Sequence, residues 1–151
     1  MQRISFEKTL TIDKILPNLN PAHRDKFKHY FRSKHLYRGM YLFMQGDKAD
    51  SLYFIESGEI SIVLEQQGGK VERLRKVCAG NVIGEMGLYN QTRRVASAVA
   101  ITDCVLQELT QDMLIKMEED DQQLVIALDR FIINIISERL TFLDKQIRQL
   151  L

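Results

Sequence analysis

Between about His35 and Leu109 the chain keeps reversing direction, and that rhythm restricts its fold more than any other feature. Short apolar runs are separated by turn signals at roughly 8–12-residue spacing, the pattern of an antiparallel roll, jelly roll or barrel. LYRGMYLFMQGD ends in Gly46-Asp47, and SLYFIESGEISIVLE follows, punctuated by Gly58. In the second of these, Ile60, Ile62 and Leu64 alternate with Ser61 and Glu65, which predicts a half-buried strand. QQGGK is a hairpin signal, because both central positions of the favoured turn take positive φ, and KVERLRKVC returns from it. VASAVAI and CVLQEL read as two more strands, with Thr102-Asp103 between them.

Helical periodicity flanks this zone. Ile12, Ile15, Leu16 and Leu19 share a face interrupted by Pro17, and Asn20-Pro21 then suits a cap and first helical position. Phe27, Tyr30 and Phe31 fall on one side of the helix that follows. After the strands, Thr110 caps a short helix through Met117, and the acidic run at 118–121 places negative charge where a helix start favours it. The last helix carries Leu124, Leu128, Phe131, Ile132, Ile135, Ile136, Leu140, Leu143, Ile147 and Leu150. Its final members follow a heptad rhythm. That face either packs on the strands or meets a partner helix, such as a second copy of the chain. The fold class expected is therefore mainly β with flanking helices. One domain spans 1–151: N-terminal helices over 1–34, a β-roll or jelly roll over 35–109, and C-terminal helices over 110–151.

Charge removes several functions. There are 21 basic and 20 acidic residues, so the surface does not advertise binding to a nucleic-acid backbone or an anionic membrane. Cys78 and Cys104 are too far apart in sequence for a CxxC pair and are expected to be buried free thiols in a reducing compartment. No apolar run reaches the roughly 18 residues of a membrane span, and MQRISFEKTL has no apolar leader core, so a cytoplasmic setting is expected. His23, His29 and His35 are spaced six apart, which suits no helical metal pair. No phosphate-loop, nucleophile-elbow or paired-CxxC motif occurs, so a binding role is expected in place of an enzyme.

One stretch is chemically pointed: GEMGLYNQTRRVASA, over Gly84–Ala98. In a continuous helix, nine residues at about 100° each would set Glu85 and Arg94 on opposite sides. A single helical turn starting at Gly84, followed by a reversal near Asn90-Gln91-Thr92, would let both converge. First-turn amides attract an anion, glycines admit close approach, and an arginine fork suits two phosphate oxygens. A carboxylate beside them would face a donor such as a sugar hydroxyl. The pair fits a sugar phosphate; its plain alternative is a salt bridge across a tight turn.

Gly84, Glu85, Met86, Gly87 and Leu88, a loop, then Arg94, Val95, Ala96 and Ser97 resemble the phosphate-binding cassette of cyclic nucleotide-binding domains. These domains occur in catabolite-activator-type regulators, cyclic-nucleotide-dependent kinases and ion channels. QGDKADSLYFIESGEISI and the flanking helices extend the likeness over nearly the whole chain. The resemblance implies a ligand site of Gly84, Glu85, Met86, Gly87, Arg94, Val95 and Ser97 within the cassette at 84–97. Arg94 would take the cyclic phosphate and Glu85 the ribose 2′-hydroxyl, assisted by amides near Gly84 and Met86. It also implies that the C-terminal helix is a lid over the base, with Phe131, Ile132 and Ile135 as candidate contacts. The ligand implied is cAMP or cGMP, and Val95, which lacks a hydroxyl, inclines the choice to cAMP. Arg93 stands where the family usually has proline, which leaves the loop less stiff. GEMGLY and MEEDDQQLVIALDRFIINIISERL resemble domains attached to sulfate-permease-type anion transporters, which implies a larger, membrane-tethered parent. No helix-turn-helix follows the last helix, so DNA binding by this chain is not expected. The rival reading is a protein-interaction or dimerisation domain of the same fold without a ligand.

Overall fold

The computed structural model of the protein describes residues 21–151. The helix expected over 12–19 and its Asn20 cap lie outside the described residues. In chain order the elements are α1 (Pro21–Lys28), β1 (Arg32–Leu36), β2 (Tyr41–Phe43), β3 (Ser51–Ser57), β4 (Glu59–Glu65), β5 (Val71–Cys78), β6 (Val82–Ile83), α2 (Glu85–Asn90), β7 (Ser97–Ala100), β8 (Cys104–Thr110), α3 (Gln111–Asp120) and α4 (Gln122–Leu150).

The strands make two antiparallel four-stranded sheets, ordered β1-β8-β3-β6 and β2-β7-β4-β5. The hairpin between β4 and β5 turns at Gly68 and Gly69, both at positive φ as the turn chemistry requires. Side chains alternate across β3, and both of its faces are covered. Tyr53 and Ile55 join Ile60, Ile62, Ile83 and Leu106 in a core drawn from both sheets. Leu52 and Phe54 face the other way, into a second core with Leu109 of β8 and with Phe27, Met117, Leu124 and Leu128 of the helices. Double coverage explains why β3 reads as an unbroken apolar run.

The alternation predicted for β4 is incomplete. Ser61 and Val63 are as buried as Ile60 and Ile62. β4 lies inside its sheet between β7 and β5, and Arg73 reaches across from β5 to donate from Nε to Ser61 Oγ at 3.0 Å. Nor are both cysteines buried: Cys104 is, but Cys78 is exposed. β5 is an edge strand whose Val77 faces inward, so its neighbour Cys78 must face out.

Thr110 caps α3, its side chain accepting from the Met113 amide at 3.2 Å, but the helix continues to Asp120. Of the acidic run, only Asp121 starts α4, its Oδ1 accepting from the Leu124 amide at 3.4 Å. Glu118, Glu119 and Asp120 finish α3, an end that disfavours negative charge. Helix α4 buries Leu124, Leu128, Ile132 and Ile135, and beyond Arg139 every one of its residues is exposed. Among the described residues no helix is long and apolar enough to cross a membrane.

Candidate functional site

Gly84 takes φ +79° and turns the chain from β6 into α2, and Gln91, at φ +54°, ends the helix after six residues. The short turn and reversal expected from the sequence are present. The returning strand is pinned against the 44–48 turn: the Arg94 amide donates to Asp47 O at 2.8 Å, and the Gly46 amide donates to Arg94 O at 2.8 Å. Arg93 forms a β-bridge with Lys48 and donates from Nη1 to Gly46 O at 3.0 Å. These bonds brace the loop at Arg93, which lacks the stiffness a proline would give.

Arg94 is 6% exposed. Its Nη1 donates to Gly84 O at 2.9 Å and its Nη2 to Ser51 O at 2.6 Å, while its plane lies 4.2 Å over the Phe43 ring. Its Nε is buried and, among the described residues, has no hydrogen-bond partner. Burial lowers the guanidinium pKa from its ordinary value, the mark of an under-solvated charge. The missing side chains of Gly84 and Gly87 serve this packing. A Cβ on Gly84 would sit 2.5 Å from Arg94 Nη1, and one on Gly87 would collide with the Ala49 methyl. In this conformation the close approach is to the protein's own groups.

Glu85 is 3% exposed and does not pair with Arg94. Its Oε1 accepts from Arg139 Nη1 of α4 at 2.7 Å, and Arg139 Nη2 donates to Val82 O at 2.7 Å. A salt bridge between Glu85 and Arg94 is therefore not what holds them near each other. Both line one cavity of about 90 Å³, together with Gly84, Met86, Gly87 and Val95. Phe43, Ile62, Ile83 and Arg75 also form part of its wall.

Ser97 does not line the cavity: it is fully buried and its Oγ accepts from the Gln45 amide at 2.8 Å. The three candidate lid contacts also stand away from it. Phe131 packs on Phe54 with ring centroids 5.9 Å apart, and Ile132 and Ile135 belong to the same helix-side core. Ile132 also lines a neighbouring groove of about 330 Å³ that shares Glu85 and Met86 with the cavity. Tyr89 closes that side of the groove, donating to Asp129 Oδ1 at 2.7 Å. Burial, then this bond to Asp129, raises the Tyr89 pKa.

Sequence reasoning missed Arg75, Phe43, Ser51 and Arg139. Arg139 lies 54 residues from its carboxylate partner, and no local pattern joins them. Ser51 contributes only a backbone carbonyl, which no side-chain motif can mark.

A family model described as cyclic nucleotide-binding domain matches residues 33–121. The chain belongs to the cyclic nucleotide-binding domain family. Among its relatives is the cyclic AMP receptor protein of Thermus thermophilus, 33% identical over 94 residues, covering 62% of this chain and 44% of that protein. Another is a cAMP-dependent protein kinase regulatory subunit of Mucor circinelloides, 31% identical over 99 residues, covering 66% of this chain and 23% of that one. The chain thus spans less than half the length of these relatives. A cyclic nucleotide-binding domain from Methylobacillus flagellatus superimposes with a TM-score of 0.85 at 22% identity, over 96% of this chain and 83% of that one. That likeness concerns the fold: two sheets with flanking helices and a long terminal helix. Within this cyclic nucleotide-binding domain, the buried cation and carboxylate of one cavity are the chemical pair that the sequence singled out.

Proposed function

We propose that the chain is a regulatory module that binds a cyclic nucleotide in the cavity between Arg94 and Glu85 and signals through helix α4. Arg94 takes the cyclic phosphate, Glu85 accepts from the ribose 2′-hydroxyl, and amides at Gly84–Met86 assist. The observation that carries this reading is the buried Arg94 Nε, a charged donor with no partner among the described residues, on a side chain that lines a cavity. Buried donors are normally satisfied, and an acceptor arriving in the cavity supplies what is missing. cAMP is preferred over cGMP on the ground of Val95, which is 69% exposed and offers no hydroxyl to a guanine.

A cavity of about 90 Å³ is smaller than the roughly 300 Å³ at which small-molecule sites begin. Binding therefore selects a more open form, in which Arg94 exchanges carbonyl partners for phosphate oxygens. α4 moves with that exchange, because the ligand favours one position of the helix. The free thiols of Cys78 and Cys104 fit a reducing, cytoplasmic setting. The exposed heptad face at Leu140, Leu143, Ile147 and Leu150 fits a second copy of the chain.

A second reading has its own support: both terminal nitrogens of Arg94 and one oxygen of Glu85 are already engaged by the protein. That is the state expected of an interaction domain that has lost its ligand. Calorimetric titration with cAMP and cGMP separates the two. Saturable binding weakened by about 2–5 kcal/mol in Arg94→Ala supports the regulatory module. No heat with either nucleotide leaves the interaction domain.

A further inference from the structure

Helix α4 is fastened to the cassette at two points on one side. In its first third, Asp129 accepts from Tyr89 of α2. Ten residues on, about 15 Å along the axis, Arg139 donates to both Glu85 Oε1 and Val82 O. Arg139 is also the last residue of α4 that is not exposed, so it stands where the helix leaves the roll.

The Glu85 carboxylate faces two ways. It lines the cavity that holds Arg94, but Arg139 does not line that cavity. The arginine therefore reaches the carboxylate from the helix side and occupies Oε1. Among the described residues no donor reaches Oε2. A buried carboxylate free to rotate would lose much of its value as an acceptor, and a guanidinium anchored on Val82 O and bonded to Oε1 restrains it. Arg75 enters the same wall from β5; burial, then repulsion from Arg139, lowers its pKa, which places all three charges in one neighbourhood.

Resting on the function proposed above, we propose that Arg139 is a positioning residue that aims Glu85 at the ribose 2′-hydroxyl and makes that hydroxyl the ligand group read by the outer half of α4. The hydroxyl donates to the open side of the carboxylate, and Arg139 keeps the other. Ligand, Glu85 and Arg139 then form one chain of charge-assisted bonds ending on the helix, and each end steadies the other. Reciprocity requires that what the ligand does for the helix, Arg139 does for the ligand.

The test compares cAMP and cGMP with their 2′-deoxy counterparts, on the full chain and on Arg139→Ala and Arg139→Lys. Calorimetry gives affinities, and hydrogen exchange reads residues 136–150. Arg139→Ala is expected to weaken the ribonucleotide about tenfold. The 2′-deoxy ligand should change less than about twofold, because it lacks the group that Glu85 was aimed at. Arg139→Lys, a point charge unable to hold Glu85 and Val82 O together, should restore only part of the loss. Protection of 136–150 should rise with the ribonucleotide and not with the deoxy form. Equal losses on both ligands, or lower protection on binding, would overturn this role while leaving the proposed function standing. Absence of binding to the unaltered chain would remove the proposed function and this inference together.

Discussion

Gly87→Ala sets helix propensity against packing. Gly87 is in α2 without a positive φ, so alanine would ordinarily stabilise the helix by about 1 kcal/mol. Here the new methyl would meet the Ala49 Cβ at a distance real side chains do not show. Ala49 is 7% exposed, and its methyl has no rotamer to escape into, so the backbone of α2 or of the 44–50 segment must shift. Overpacking of this kind costs about 1–3 kcal/mol, and a clash between two backbone-fixed methyls belongs at the top of that range. Set against the propensity gain, the net loss is about 2 kcal/mol. For a domain of this size it lowers the melting temperature by about 4–8 °C. Urea denaturation followed by circular dichroism measures it, and adding Ala49→Gly should return most of the loss by giving the methyl its space. A Gly87→Ala protein as stable as the parent, or no recovery in the double variant, would refute the claim that this glycine exists for contact with Ala49.

Two further outcomes follow from charges and surfaces. Burial alone would raise the Glu108 pKa, but bonds from Arg32, Tyr53 and Ser51 together lower it from 4.5, so its stabilisation is complete above that value and lost as pH falls through the lower folded one. Burial, then Glu108, pushes the Tyr53 phenol from 10.0 up to about 12, so its share is complete below 10.0 and lost as pH rises towards 12. Stability measured against pH should show both limbs, and Glu108→Gln should flatten the acid one. The dimer proposed on the exposed heptad face predicts a two-chain species in sedimentation that Leu143→Glu shifts to monomer without changing the melting temperature of the roll, since Leu143 is 50% exposed.

Much of the architecture could be read from the sequence because its causes are local. The Gly68-Gly69 hairpin, the Thr110 cap and the turn-punctuated strands each depend on residues within a few positions of one another. The cassette's short helix and reversal were legible for the same reason: Gly84, Gln91 and the small residues after Arg94 act over one turn. Where neighbours across the fold decide, local pattern fell short. Ser61 looked solvent-facing until Arg73 crossed the sheet to cover it, and Cys78 looked buried until β5 proved to be an edge.

The candidate site divides along the same line. The residues suggested that Glu85 and Arg94 could converge across a chain reversal, and the family resemblance singled them out as the candidate site's charged pair. Tertiary structure decided what each one touches: Ser51 O and the Phe43 ring for Arg94, and Arg139 for Glu85. A sequence reports which groups are present and how local geometry turns them. Burial and long-range contact set the dielectric around a charge and choose its partner, and those exist only once distant segments have been brought together.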